Sequence, residues 1–325
     1  MPAGARNTVA TTGSRTLQVD IVDVPEVDSY FYIGVRFARN LGQGETTRVH
    51  LEFDMVGLPP RSAGYNRINP AYAGFDAFGA GDPGQMRVTF VFPTGWDADV
   101  LGAEVQQSTQ NGRVVYTVTR IADEEIGFSL FVSARRDDAL VSSSIVLGEG
   151  TGAEGTTVDL RSWPGDDEWS DFVSRQLDEG LATLVAAIGR PWPEDDGYVI
   201  REAYTLYLYG YAGWYRGEDA EIEIGEDLDA ETVLHELSHA WFNDAWFADR
   251  WITEGLAQEY SNSVLESLGA EFTEPDDVPL DDEWAIALDD WGAPDFVNGA
   301  DGYEDFGYAA SFRDRKSTRL NSSHT

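Results

Sequence analysis

The chain has no cysteine, a single lysine (Lys316) and only four histidines in 325 residues. Without cysteine there can be no disulfide and no thiolate ligand, so any metal would have to be held by nitrogen and oxygen. Cations are scarce: 22 basic residues face 58 acidic ones, for a net charge of −36. Phosphate backbones and anionic lipid surfaces are bound by clustered Lys and Arg, so nucleic acid and charged membranes are excluded as partners. Long hydrophobic runs are absent too, and no membrane-spanning helix is expected. The opening MPAGARNTVATTGSRT has no apolar core of the signal-peptide kind. If that start is internal to a longer chain, export or a place in the cell envelope is the expectation.

What is present is ample for buried cores: 42% hydrophobic residues and 10 tryptophans. Such a length suits one large domain or two ordinary ones. Residues 314–324, DRKSTRLNSSH, read as the in-frame translation of a sequencing-library adapter and contain the lone lysine. Residues 314–325 are therefore set aside as an adapter-derived artefact, and the natural chain is expected to continue beyond about Arg313.

Residues 1–15 are expected to be unstructured. From about 16 to 163, segments such as LQVDIVDV, YFYIGVRFA, QMRVTFVFP, RVVYTVTRI and FSLFVSA alternate or run apolar over strand lengths. They predict a β-rich domain, packed as a sandwich or a saddle-like open sheet. Residues 59–84, rich in Gly, Pro and aromatics, read as a long surface loop, and His50 as a structural histidine in a strand. Pro, Gly and acids in SWPGDDEW (162–169) mark the boundary with a second domain over 164–313. That domain opens with a helix from Asp166 or Asp167 through Ile188, carrying Trp169, Phe172, Val173, Leu177, Leu181 and Leu184 at helical spacing. YVIREAYTLYLYG and AEIEIG (220–225) read as strands leading to the most informative stretch of the chain.

That stretch is DAETVLHELSHAWFNDAWFADRWITEGLAQEY, residues 229–260. Two of the four histidines stand four apart in it, His235 and His239, around Glu236. On a helix, positions i and i+4 are about 40° apart and one turn apart, so both imidazoles can reach one cation. Glu236, about 100° from His235, can hold a water bound to that cation. Two nitrogen ligands and a third group leave one position open on tetrahedral zinc, and the third group should be a nearby acid. Asp227 or Asp229 can cap the helix, Leu228 and Val233 can form a hydrophobic staple, and Glu231 suits the first turn. Leu234, Leu237, Trp241 and Trp246 form its expected apolar face. A second helix is expected from near Thr253, with Trp251, Ile252, Leu256, Ala257 and Tyr260 packing.

HELSHAWF followed by WITEGLA resembles the gluzincin zinc metallopeptidases of the MA clan, the aminopeptidase N relatives and smaller bacterial peptidases. The resemblance implies a thermolysin-like, mainly α catalytic domain behind a β-rich one, an α+β chain that is C-terminally incomplete. It implies one zinc per chain on His235, His239 and Glu254, with Glu236 as general base. It further implies hydrolysis of peptide or protein substrates, and an edge strand, AEIEIG, on which substrate lies. The glutamate-bearing GAMEN motif of the aminopeptidases is missing, which leaves exopeptidase and endopeptidase action both open. GYEDFGYAASF (302–312) is similar to the segment supplying their catalytic tyrosine, making Tyr303 the expected oxyanion stabiliser and Tyr308 the reserve. Asp244, Glu259 and Asp305 are candidates for orienting the histidines. The Asn-Glu-x-x-x-Asp pattern of thermolysin relatives is not met, with Thr253 and Gln258 in its places. A different hydrolase on the same scaffold, and an inactive binding or scaffold protein, are the alternative readings.

Overall fold

The computed structural model describes residues 5–23, 31–80, 87–118, 127–195, 197–208, 210–275, 278–279, 281, 283–293 and 301–322. It is a mixed α/β chain dividing into two compact units at Leu140/Val141.

Apart from one 3₁₀ turn, the regular elements among the described residues of the first unit are strands: β1 (Ala5–Thr12), β2 (Arg15–Asp23), β3 (Phe31–Arg36), β4 (His50–Met55), β5 (Arg67–Ile68), β6 (Tyr72–Ala80), β7 (Val88–Pro93), β8 (Asp97–Leu101), β9 (Gln106–Gln110), β10 (Arg113–Val118) and β11 (Gly127–Arg135). They form sheets in the orders β3-β2-β1-β4, β7-β10-β9 and β5-β6-β11-β8. The last two share one core, where Phe90 and Phe92 of β7 and Tyr116 of β10 meet Val100, Leu130 and Val132. Two expectations fail here. Residues 5–12 are not unstructured, because β-branched Thr and Val pair on one side with β2 and on the other with β4. The supposed loop 59–84 contains β5 and the nine-residue β6, which pairs along its length with β11. Residues 1–4 and 81–86 lie outside the described residues.

The second unit begins earlier than SWPGDDEW suggests, because β12 (Val141–Val146) and β13 (Thr157–Ser162) join its sheet. Between β13 and β14 (Tyr198–Ala203) run α1 (Asp167–Arg175), a π-helical turn over 176–181 and α2 (Ala182–Ile188). There follow β15 (Gly213–Arg216), β16 (Glu221–Gly225), α3 (Ala230–Ser238), α4 (Arg250–Leu268) and α5 (Asp301–Ser322). The sheet order is β12-β13-β14-β16-β15. Its three inner strands are parallel, with β12 and β15 antiparallel at the edges. The unit is thus a five-stranded mixed sheet with helices.

Period-2 alternation explains how the sheet is covered. Val158, Leu160, Tyr198, Ile200, Ile222 and Ile224 share one face and pack against Trp169, Val173, Leu181, Leu184, Leu234 and Leu237 of the helices. Asp166 caps α1 by accepting from the Trp169 N–H. Trp169, Val173, Leu177 and Leu181 follow one another at intervals of four, which drifts by about 40° per step on an ideal α-helix. The π-helical turn absorbs that drift, and all four side chains stay buried. Gly180 lies within that turn; a Cβ there would sit 2.5 Å from Leu234 Cδ2, so a side chain would push against α3. α5 runs on through residues 314–322, the segment set aside above, and residues 323–325 lie outside the described ones. Among the described residues no helix is long and apolar enough to cross a membrane.

Candidate metal centre

α3 starts as its sequence dictates. Asp229 caps it by accepting from the N–H groups of Glu231 and Thr232, and Leu228 and Val233 both join the core. It ends at Ser238, sooner than the apolar pattern suggests. The Asn243 amide donates to the carbonyls of His239 and Ala240 and turns the chain away. Trp246 consequently lies beyond the helix and is 77% exposed, not part of an apolar face. α4 starts at Arg250, three residues before the expected Thr253, so that Glu254 falls at its second turn.

This arrangement brings His235, His239 and Glu254 together. The two Nε2 atoms are 3.2 Å apart, and Glu254 Oε2 lies 3.2 Å from His235 Nε2 and 3.4 Å from His239 Nε2. A tetrahedral zinc with bonds of about 2.0–2.1 Å has ligand-to-ligand edges of about 3.3–3.4 Å, so the triangle has zinc dimensions. The outer nitrogens support this. His239 Nδ1 is 2.8 Å from the Phe242 carbonyl oxygen, and His235 Nδ1 is 3.2 Å from Gln258 Oε1. Both partners are acceptors, so each Nδ1 carries the proton and each Nε2 presents a lone pair inward. None of Asp244, Glu259 or Asp305 holds either Nδ1. Gln258, one turn after Glu254, was visible in the sequence as a neighbour of that acid but not as a partner of His235.

Three acceptors facing inward attract positive charge. Burial opposes ionisation of His239, yet the Glu254 carboxylate overcomes it and raises the imidazole to about 9. Burial likewise opposes the Glu254 anion, and the two imidazoles reverse the balance to hold it well below the usual carboxylate range. A cation bound among these atoms takes the place of those protons.

Glu236 is 8% exposed and projects from α3 toward β15. Burial pushes its carboxyl up, while the His239 and His235 imidazoles pull it down. Gly213 gives it room. An added Cβ there would lie 2.5 Å from Glu236 Cγ and 2.9 Å from Oε1. Gly213 belongs to β15, the edge strand; AEIEIG forms β16, which is interior because β14 and β15 pair on its two sides. The edge beside α3 is therefore GWYR, which mixes Gly, Arg and aromatics and shows no alternation in the sequence.

His235, Glu236, His239 and Glu254 line a cavity of about 880 Å³, shared with Gly213, Tyr215, Arg250 and Tyr308. Glu218, Asp219, Asp229, Asp244, Asp249 and Asp289 also face it and give it a strongly acidic wall. Tyr303 is not among the lining residues. It is 43% exposed and packs edge-on against Trp284. Tyr308, five residues on, faces the cavity with its hydroxyl 3.1 Å from Arg250 Nη2, and burial pushes its phenol well up. Arg250 is held from behind. It makes a two-pronged pair with Glu304 at 2.8 Å on each side and stacks over Trp291 at 4.2 Å. Glu304 also accepts from Tyr211 at 2.7 Å and Trp291 at 3.2 Å.

No protein-family model and no curated protein sequence matches the chain. Among solved structures it is similar to an M1 zinc metallopeptidase from Deinococcus radiodurans, at 18% identity and a TM-score of 0.29, over 83% of this chain and 63% of that one. A mutant of that peptidase gives 17% identity, a TM-score of 0.30 and coverage of 83% and 65%. The mutant bound to a Tyr-Ser-Ala substrate gives 15% identity, a TM-score of 0.38 and coverage of 98% and 76%. The chain spans 63% and 65% of the lengths of the first two of these structures, under two thirds of each.

Proposed function

We propose that the second unit is the catalytic unit of a zinc-dependent peptidase of the gluzincin kind, with a thermolysin-like site. The carrying observation is the triangle of His235 Nε2, His239 Nε2 and Glu254 Oε2, with edges of 3.2–3.4 Å, opening on a cavity that Glu236 also lines.

His235, His239 and Glu254 would hold the metal through the atoms just named. Zinc in such a site lowers the pKa of a water toward 7 and polarises a carbonyl. Glu236 takes the proton of the attacking water and passes it to the leaving amine, a role for which a carboxyl raised by burial is suited. Tyr308 donates a hydrogen bond to the oxygen that gains negative charge as the carbonyl is attacked. Its place in the cavity, against the exposure of Tyr303, favours Tyr308 for this role. Arg250 donates to the Tyr308 oxygen, which turns the phenol's own proton toward the cavity. β15 offers an extended peptide the backbone groups of an edge strand, beside Glu236.

The test is zinc content and peptide hydrolysis of the purified chain and two variants. Wild type should bind one zinc and cleave peptides. Glu254→Ala should lose the metal, and Glu236→Gln should keep the metal and lose cleavage. A wild-type chain that takes up no zinc would refute the proposal.

A further inference from the structure

One imidazole of the metal centre is held by an amide that is itself held by a carboxylate. Gln258 Oε1 lies 3.2 Å from His235 Nδ1, and Gln258 Nε2 lies 2.6 Å from Glu231 Oε1 and 2.9 Å from Asn262 Oδ1. An ionised carboxylate only accepts hydrogen bonds. Glu231 therefore fixes which way the amide points: nitrogen toward Glu231, oxygen toward His235. Glu231 is fixed in its turn, since its other oxygen accepts from the Thr273 backbone N–H at 3.0 Å.

The direction of that amide decides what His235 can do. An oxygen facing Nδ1 requires a proton on Nδ1 and leaves Nε2 with its lone pair. If the amide were reversed, an NH₂ group would face Nδ1 and favour the other tautomer. Its proton would then sit on Nε2, 3.2 Å from both His239 Nε2 and Glu254 Oε2, and block ligation. His239 is set independently by the Phe242 carbonyl. Glu231 is not needed to cap α3, because Asp229 already does so.

We infer that Glu231 is a positioning residue of the metal centre, acting on His235 through Gln258 and fixing the imidazole in its metal-binding tautomer. The inference rests on the reading of His235, His239 and Glu254 as zinc ligands. Its chemistry is a carboxylate relayed through a neutral side chain, so exchanging the two partners should preserve the function while changing either alone should not.

The experiment measures zinc affinity by chelator competition in four chains: wild type, Glu231→Gln, Gln258→Glu and the double variant Glu231→Gln/Gln258→Glu. Nitrogen-15 spectra of the metal-free chains at alkaline pH, where the imidazoles are neutral, report the tautomers. In Glu231→Gln the amide at 258 is no longer oriented, and affinity should fall about 10- to 100-fold, the usual cost of losing such a partner, with an Nε2–H signal from His235. Gln258→Glu sets two carboxylates against each other across the 2.6 Å contact and should also weaken binding. The double variant restores one acceptor facing His235 and one amide facing that acceptor, and should regain most of the affinity. Gln258→Met, which keeps the length and removes all three side-chain hydrogen bonds, should bind as weakly as Glu231→Gln and serves if that variant fails to fold. Unchanged affinity and an unchanged Nδ1–H tautomer in Glu231→Gln, or a double variant no better than the single ones, would overturn the relay. Failure of the wild type to bind zinc would instead refute the proposed function, and the tautomer spectra would still decide whether Glu231 sets the ring.

Discussion

Gly213→Ala tests the role of Glu236 without altering any titratable group. The added methyl would begin 2.5 Å from Glu236 Cγ. Carbon atoms settle at about 3.5–4.0 Å, so something must move by about 1 Å. Gly213 is hydrogen-bonded into the sheet opposite Ile224, whereas the Glu236 side chain can rotate, so the carboxylate is the part that gives. Displacing a reacting group by about 1 Å can cost about 100-fold in rate. Crowding of this kind costs about 1–3 kcal/mol of stability, a loss a folded chain can survive. His235, His239 and Glu254 are not among the nearest atoms to the new Cβ, so zinc should stay. The assay is kcat for a peptide substrate, beside zinc content and thermal melting. A variant that melts near wild type, holds one zinc and retains full kcat would refute the placement of Glu236 as the working base.

Tyr308→Phe should lower kcat by about 100- to 1,000-fold with little change in KM, as loss of one oxyanion donor does. Tyr303→Phe should be close to neutral, and the reverse order would restore Tyr303 to the role. Glu304 supplies a pH dependence: burial would raise its carboxyl, but hydrogen bonds from Arg250 and Tyr211 outweigh it and hold the group below its usual range. A lowered native pKa means stability that is fully present above the unfolded carboxylate pKa and is lost as pH falls through the native value. Chemical denaturation should therefore show Glu304→Gln well below wild type at neutral pH, with the gap closing in acid. Both side chains of the pair are about 15% exposed or less, so the neutral-pH loss should sit at the low end of the about 3–5 kcal/mol seen when a buried pair is broken. A gap independent of pH would count against the ion pair. Stripping zinc with a chelator should lower the melting temperature, and free zinc at a hundred times its Kd should return about 2.7 kcal/mol.

The triangle of His235, His239 and Glu254 was legible because its chemistry is local. His235 and His239 need only one helical turn, and Asp229 announces where that turn begins. Glu254 was placed by its resemblance to a known segment, and α4 then carries it to the other two. What escaped the sequence depended on distant pairing. β6 (YAGFDAFGA) is mostly Ala, Gly and Phe, shows no alternation of polarity, and becomes a strand because β11 lies alongside it. β15 hides for the same reason, and its edge position depends on where β16 inserts. Tyr303 and Tyr308 are equivalent as letters. They are told apart by the direction each leaves α5, one toward Trp284 and the other toward Arg250. Gln258 could be placed near Glu254, but the identity of its partners required α3 to be docked.

The π-helical turn at 176–181 makes the helical segment after β13 sensitive to length as well as to composition. An ideal α-helix advances about 100° per residue, and the turn holds one residue more than an α turn would. Deleting a single residue between Gln176 and Gly180 would let the segment run as uninterrupted α-helix while leaving Leu181 and Leu184 in register with each other. The π-helical turn takes up the extra residue, so both stretches of helix present their apolar sides to the same sheet, with Gly180 lying against Leu234 of α3. An insertion of one residue there would rotate everything downstream by about a quarter turn, and no substitution of side chains could turn it back.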